Sequence, residues 1–197
     1  MTLKRLLDIL GAFFGLLIIL PLVPFIAIAI KLDSAGPVLV KLPRVSAGRL
    51  IGVYKFRSMV ADAQKEKVRL RPLNERRDGP FFKIRNDPRV TKTGRWLRRF
   101  RLDELPQLIN VLLDELTLVG PRPHEPEEII NYPEKYRHLP LAKAGATGLS
   151  QVSGASGLPF LKELELDDYY LRRQSLWLDL KIIGRTLTIL FFDHNAV

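Results

Sequence analysis

From residue 9 to residue 30 the chain runs for 22 residues without a single charged side chain. As a helix rising ~1.5 Å per residue, the run is ~33 Å long, enough to cross the hydrocarbon core of a bilayer. Lys4 and Arg5 precede it and Ala27-Ile28-Ala29 resembles a small-residue cleavage site, so a secretory leader is one reading. The apolar run is longer than a usual leader core, however, and basic residues follow that position at once. Lys31, Lys41, Arg44 and Arg49 lie on its far side, so the positive-inside rule draws both ends toward the cytoplasm. Pro21 and Pro24 each remove a helical hydrogen bond, near Leu17 and Leu20, and crowd the preceding turn. A re-entrant helix that enters and leaves by the same leaflet satisfies both facts, with a kinked single span as the alternative.

The remaining chain suffices for one domain with its own core. It contains no cysteine, which excludes disulfide scaffolds, thiolate zinc sites, iron–sulfur clusters and thiol nucleophiles. Beyond residue 32 there are 28 basic against 20 acidic residues, and the excess is local: residues 65–101 hold fourteen Lys or Arg against four acids. Its partners should be anionic, and phosphorylated substrates, lipid headgroups and nucleic acid all qualify. A solvated basic face beside a negative membrane is the plainer alternative.

Val38-Leu39-Val40 and the segment 51–56 read as two strands of a small hairpin around Ser46-Ala47-Gly48. Residues 59–71 suit an exposed helix. In 95–100, Trp96, Leu97 and Phe100 are expected on one helical face with the arginines opposite. Leu105, Leu108, Ile109, Leu112 and Leu116 then mark a second helix with Asp103 as N-cap. A short helix is expected over 125–136 and a glycine-rich loop over 143–157. Two amphipathic helices follow, 163–173 and 176–192. In the second, Trp177, Leu180, Ile183, Leu187 and Leu190 can share a stripe suited either to a membrane interface or to packing on the domain.

Asp103-Glu104 places two carboxylates directly after Arg95, Arg98, Arg99 and Arg101. Nearby cations and a helix start favour their ionised forms. An ionised Asp is a candidate nucleophile toward phosphorus, and an adjacent acid can share a magnesium ion or move a proton; the plain alternative is a cap beside a surface acid. Arg122, between Pro121 and Pro123, is a stiffly held guanidinium suited to phosphate or a planar base. The glycines from 145 to 157 fit neither a P-loop nor a dinucleotide fingerprint. His124, His138 and His194 lack the spacing of a histidine metal site, and no Gly-x-Ser-x-Gly elbow occurs.

Taken together, Lys4-Arg5-Leu6-Leu7-Asp8, Lys31-Leu32-Asp33-Ser34-Ala35-Gly36-Pro37-Val38, Tyr54-Lys55-Phe56-Arg57-Ser58-Met59, Asp87-Pro88-Arg89-Val90-Thr91, Leu102-Asp103-Glu104-Leu105-Pro106-Gln107-Leu108, Leu118-Val119-Gly120-Pro121-Arg122-Pro123 and Ser175-Leu176-Trp177-Leu178-Asp179-Leu180-Lys181 resemble the monotopic phosphoglycosyl transferases of bacteria. The order and spacing agree, and the chain looks like the minimal, catalytic-domain form. The resemblance implies transfer of a sugar 1-phosphate from a UDP-sugar to a polyprenyl phosphate with release of UMP, at the cytoplasmic face of the inner membrane, as the first membrane step of glycan assembly. It further implies Asp103 as covalent nucleophile, Glu104 as its partner for Mg2+ or proton handling, with both acids as metal ligands, and Arg122 as a nucleotide contact. Arg57, Asp87, Arg89 and Arg98 would belong to the surrounding substrate site.

The expected fold is α+β and predominantly helical: a re-entrant membrane helix over residues 1–32, then a cytoplasmic-face catalytic domain over 33–197 with a small β-hairpin and amphipathic interfacial helices, the two forming one continuous unit. Membrane lipids are expected partners, nucleic acid is not, and a homodimer is left open. Three departures from the family pattern stand out. Leu20-Pro21 replaces the usual Ser-Pro at the membrane break, Ser46 replaces a glycine, and the late Pro-Gly and Asn-Gly-Arg elements appear as Ala144-Gly145 and Ser153-Gly154-Ala155. A membrane-tethered basic module that binds anionic lipid or nucleic acid without catalysis is the rival reading; it explains the charge but not Asp103-Glu104 beside Arg122.

Overall fold

The computed structural model describes residues 2–154 and 157–192; Ala155 and His194 lie outside them. Helix α1 (Leu3–Ile19) passes through a 3-10 turn (Leu20–Leu22) into α2 (Val23–Asp33), so the apolar run is one helical path of 31 residues. At the prolines the ladder tightens rather than breaking: Leu20 still donates to the Leu16 carbonyl, and the Leu20 carbonyl accepts from Val23 in place of the missing N–H of Pro24. Its outer face carries twelve exposed large apolar residues, among them Phe13, Phe14, Leu17, Ile18 and Phe25. Covering such a face is worth on the order of 20 kcal/mol, more than the ~5–15 kcal/mol that holds a whole domain together. The helix is long and apolar enough to cross a membrane, with a mean hydropathy of 2.8 over an 18-residue stretch.

The other face of this helix docks on the domain. Gly11 and Gly15 admit Leu118 and Leu108, which a Cβ would meet at 2.5 and 2.6 Å. Ala12 joins Val53, Val111 and Leu116, while Ile19, Ile26 and Ile30 join Phe56 and Leu97. Polar anchors hold both ends: Asp8 accepts from Thr117 Oγ1 and the Leu118 N–H, and Asp33 accepts from the Thr93 N–H at 2.6 Å.

Strands β1 (Leu39–Ser46) and β2 (Arg49–Phe56) form the expected antiparallel hairpin, longer than its alternating core suggests, with Leu39 opposite Phe56 and Ser46 opposite Arg49. Its two loop residues, Ala47 and Gly48, both have positive φ, as a right-twisting two-residue hairpin requires. Ser46, the departure from glycine, bridges elements: its hydroxyl donates to the Glu115 carbonyl and accepts from the Ala144 N–H. Helix α3 (Ala63–Leu70) is exposed on most of its surface, and α4 (Lys92–Arg99) starts on a Thr91 cap. Leu97 is fully buried whereas Trp96 is half exposed. The expected common face for these two fails because adjacent helical residues point ~100° apart.

The helix expected from Asp103 to Leu116 is shorter. Leu102–Glu104 forms a 3-10 turn, and α5 (Gln107–Leu112) begins after Pro106, so Asp103 caps nothing. Leu116 belongs to the core but lies beyond the helix, past Asp114 in the left-handed region. Strand β3 (Thr117–Val119) pairs in parallel with β4 (Gly145–Thr147), a second sheet whose β4 falls in the stretch expected to be a loop. Its glycines serve close backbone packing: a Cβ on Gly145 would sit 2.1 Å from the Gly120 nitrogen. Between these strands, the expected 125–136 helix is split into α6 (Pro126–Ile129) and a 3-10 turn (Glu134–Tyr136). After β4 come α7 (Leu149–Ser153), α8 (Phe160–Arg173) and α9 (Leu176–Phe192). In α9, Ile182 is buried and Ile183 packs inward, while Trp177, Leu180 and Leu187 are exposed, so the stripe divides between the two expected roles.

Asn110 couples α5 to the hairpin: its Oδ1 accepts from the Tyr54 N–H at 2.9 Å, and its Nδ2 donates to the Gly52 carbonyl and to Glu115. Asn110→Ala strands these buried groups and should cost roughly 2–4 kcal/mol. The check is thermal unfolding in detergent, where an unchanged midpoint would place the coupling elsewhere.

Candidate active site

After α4 the chain reverses through Arg101, whose φ of 53° turns Leu102–Glu104 back across β2. This lays Asp103 and Glu104 on the wall of a cavity of about 540 Å³ lined by the hairpin, residues 81–89, α4, the Pro121-Arg122-Pro123 segment and part of α8. Asp103 is buried. Glu104 is half exposed and pairs with Lys55 of β2, Nζ to Oε1 2.5 Å. Lys55, Arg98, Arg101 and Arg122 surround the acids from four segments.

The two carboxyls are driven apart. Burial, together with the neighbouring charge of Glu104, pushes Asp103 up to about 6, although Lys55 and Arg98 work the other way. Burial also opposes the Glu104 charge, but Lys55 and Arg122 outweigh it and hold that carboxyl down at about 2. The expectation that surrounding cations keep Asp103 low therefore applies to Glu104. Asp103 still ionises below neutral pH.

Arg122 reaches the cavity as the sequence suggested. Its backbone N–H donates to Asp167 Oδ2 at 3.0 Å, and Nε lies 3.7 Å from Glu163 Oε1. Burial opposes its charge, yet Glu163 and Glu104 outweigh that and raise its pKa. Arg98 lines the cavity with Nε bonded to Ser58 Oγ. Asp87 and Arg89 form a buried pair at 2.5 Å, with Arg89 also bonded to the Ala63 carbonyl and stacked 5.0 Å from Phe82. Arg57 borders the cavity, but its guanidinium is taken up by the carbonyls of Ala35, Ser34 and Ile30 at the end of α2. So Asp103, Glu104, Arg98 and Arg122 converge on the cavity, while Asp87, Arg89 and Arg57 hold its wall.

Sequence reasoning passed over Lys55, which lies inside the quoted Tyr54–Met59 block, and the pair His124 and Glu163. His124 lacks metal-site spacing, and its place beside Pro123 is the one signal the sequence offers for it. Glu163 gave no local signal. Among the described residues no cluster of three or more His, Asp or Glu could hold a metal ion. The adjacent carboxylates of Asp103 and Glu104 nonetheless suit Mg2+, which commonly takes one or two protein carboxylates and completes its shell with phosphate and water.

A family model described as bacterial sugar transferase matches residues 1–193. The chain is 40% identical to the undecaprenyl-phosphate glucose phosphotransferase of Komagataeibacter xylinus, over 98% of this chain and 36% of that protein. It is 40% identical to the UDP-glucose:undecaprenyl-phosphate glucose-1-phosphate transferase of Escherichia coli K12, over 98% and 41%. It is 37% identical to the uncharacterized sugar transferase EpsL of Bacillus subtilis, over 95% and 86%. The chain thus spans about two fifths of the first two relatives and most of the third.

Removing the Lys55 ammonium withdraws the main cation holding Glu104 and lowering Asp103. In Lys55→Met both carboxyls should titrate about one pH unit or more higher, read by carbon-13 carboxyl shifts; unchanged titration would contradict the pairing.

Proposed function

The chain belongs to the bacterial sugar transferase family, and we propose that it transfers a sugar 1-phosphate from a UDP-sugar to a polyprenyl phosphate of the undecaprenyl type, releasing UMP. The observation that carries this reading is the carboxylate pair of Asp103 and Glu104 inside a cavity lined by cations. A basic module for lipid or nucleic acid has no use for two acids at the centre of its positive field, each partly desolvated.

The reaction divides into two displacements on one phosphorus. A carboxylate oxygen of Asp103 attacks the sugar-bearing phosphorus of the donor; a carboxyl–phosphate bond forms, the bridging P–O bond breaks, and UMP leaves with the electron pair. An oxygen of the polyprenyl phosphate then attacks the same phosphorus, and the Asp103 carboxylate leaves, regenerating the nucleophile. Arg122 holds the nucleotide phosphates, and Lys55 keeps Glu104 ionised as the second acid. Mg2+ held by Asp103 and Glu104 together with the donor would screen the diphosphate charge. Arg98 and Arg101 add positive charge beside the nucleophile.

Position supports a lipid acceptor. The cavity lining begins at Pro37, four residues past the end of α2, so a soluble donor and an acceptor phosphate at headgroup height can meet there. We read the apolar helix as re-entrant and the site as cytoplasmic: Lys4, Arg5 and Asp8 at one end and Asp33 at the other are bonded into the same folded unit, and basic residues flank both ends. Exposed Trp177, Leu180 and Leu187 on α9 suit the same interface.

UMP release measured across a panel of UDP-sugars with polyprenyl phosphate tests the assignment. The expected result is release from at least one donor that depends on the lipid and falls by about a thousandfold or more in Asp103→Asn. Release from none, or sustained turnover without lipid, would overturn it. In the active protein the rate should decline as pH falls through about 6, where Asp103 takes up a proton and loses the electron pair it attacks with; a rate flat to pH 5 would contradict this.

A further inference from the structure

Behind Arg122 lies a buried polar cluster that the two displacements do not use. Glu163 and Asp167, one turn apart on α8, are each about 2% exposed and face the Pro121-Arg122-Pro123 segment. Asp167 takes the backbone of Arg122 and Glu163 its side chain, through Nε. Glu163 is itself held by His124 Nε2 at 3.0 Å, whose Nδ1 contacts the Tyr132 hydroxyl. The edge of Phe81 packs on the His124 ring at 4.8 Å and seals the cluster.

Burying two carboxylates costs several kcal/mol unless each is paired, and an apolar helix face would pack here without that cost. What the arrangement supplies is direction. Glu163 engages the Nε side of the guanidinium, which leaves the terminal nitrogens to an anion in the cavity that Arg122 lines. Asp167 and the two prolines fix the backbone from which the side chain projects. Without Glu163, the long side chain would be free to swing onto Glu104, the next strongest of its acidic neighbours, and neutralise the second acid.

We propose that Glu163 and Asp167 of α8 are positioning residues that aim Arg122 at the diphosphate of the nucleotide donor, with His124 and Tyr132 fixing Glu163. The proposal rests on the reading of Arg122 as a donor contact. It makes a helix whose Asp167 lies 45 residues downstream of Arg122 part of the donor site, acting through Arg122 and touching no substrate.

The test is a double-mutant cycle on the full chain in detergent, with UDP as the probe and calorimetric binding as the readout. Glu163→Gln, nearly isosteric and still able to accept from His124, should weaken UDP binding about tenfold. In an Arg122→Ala background it should change nothing further. With the donor found in the UMP panel, the rise in KM should exceed any fall in kcat. Equal losses in both backgrounds would show that Glu163 acts by another route and overturn the proposal. If Arg122→Ala leaves UDP binding intact, the donor assignment of Arg122 fails and the proposal with it. If Arg122→Ala weakens binding while Glu163→Gln does not, only the positioning claim fails. Tyr132→Phe, which keeps every charge, guards against a Glu163 variant that does not fold: it should weaken UDP binding two- to threefold, and an unchanged affinity would count against the relay.

Discussion

Just past the end of α2 the carbonyls of Ser34 and Ala35 lie outside the helical ladder, and one guanidinium takes them. Arg57 donates to Ile30, Ser34 and Ala35 from a position just past the end of β2. Orphan carbonyls at a helix end carry partial negative charge, so a buried cation is well matched to them. The contact demands close approach: Gly36, at a φ of 126°, leaves no room for a Cβ beside the Arg57 guanidinium. This joint ties the apolar helix to the strand that carries Lys55, and Lys55 holds Glu104. The height of the carboxylate pair relative to the apolar face is thereby set through residues 55–57, the last two of β2 and the arginine that follows them.

The opposite end of the helix is clamped as firmly. Lys4 donates to Asp179 of α9 at 2.7 Å, to the Val119 carbonyl and to the Tyr170 hydroxyl, while Arg5 caps the carbonyls of Val111 and Leu112 at the end of α5. Asp179 is almost fully buried, and a buried carboxylate tolerates loss of its cation poorly. The helix therefore behaves as part of the domain core on one side and as an apolar surface on the other.

Local patterns reveal what local forces decide. Two short strand-forming runs around Ser46-Ala47-Gly48 mark the hairpin, and the charge-free run marks the long helix. Asp103 misleads as a cap because Arg101 takes a left-handed turn and Pro106 starts the helix later, which no periodicity records. The β3–β4 pair is three residues on each side with partners 28 apart, too short and too distant for a sequence signal. In the candidate site, Asp103, Glu104 and Arg122 announce themselves by residue type and spacing. Lys55 sits in a strand where any alternating polar residue looks solvated, and Glu163 looks like the exposed acid of an amphipathic helix until tertiary packing buries it under His124. Arg57 shows the converse: the resemblance places it in the substrate site, whereas the geometry gives it a helix end to hold.

Both displacements require a covalent phosphosugar at Asp103. The direct measurement is the intact mass of the chain after rapid quenching with an accepted UDP-sugar and no lipid acceptor. One sugar-phosphate increment is expected, absent from Asp103→Asn and lost when polyprenyl phosphate is added before the quench. An unmodified mass at every quench time, in protein that turns over once both substrates are present, would contradict it.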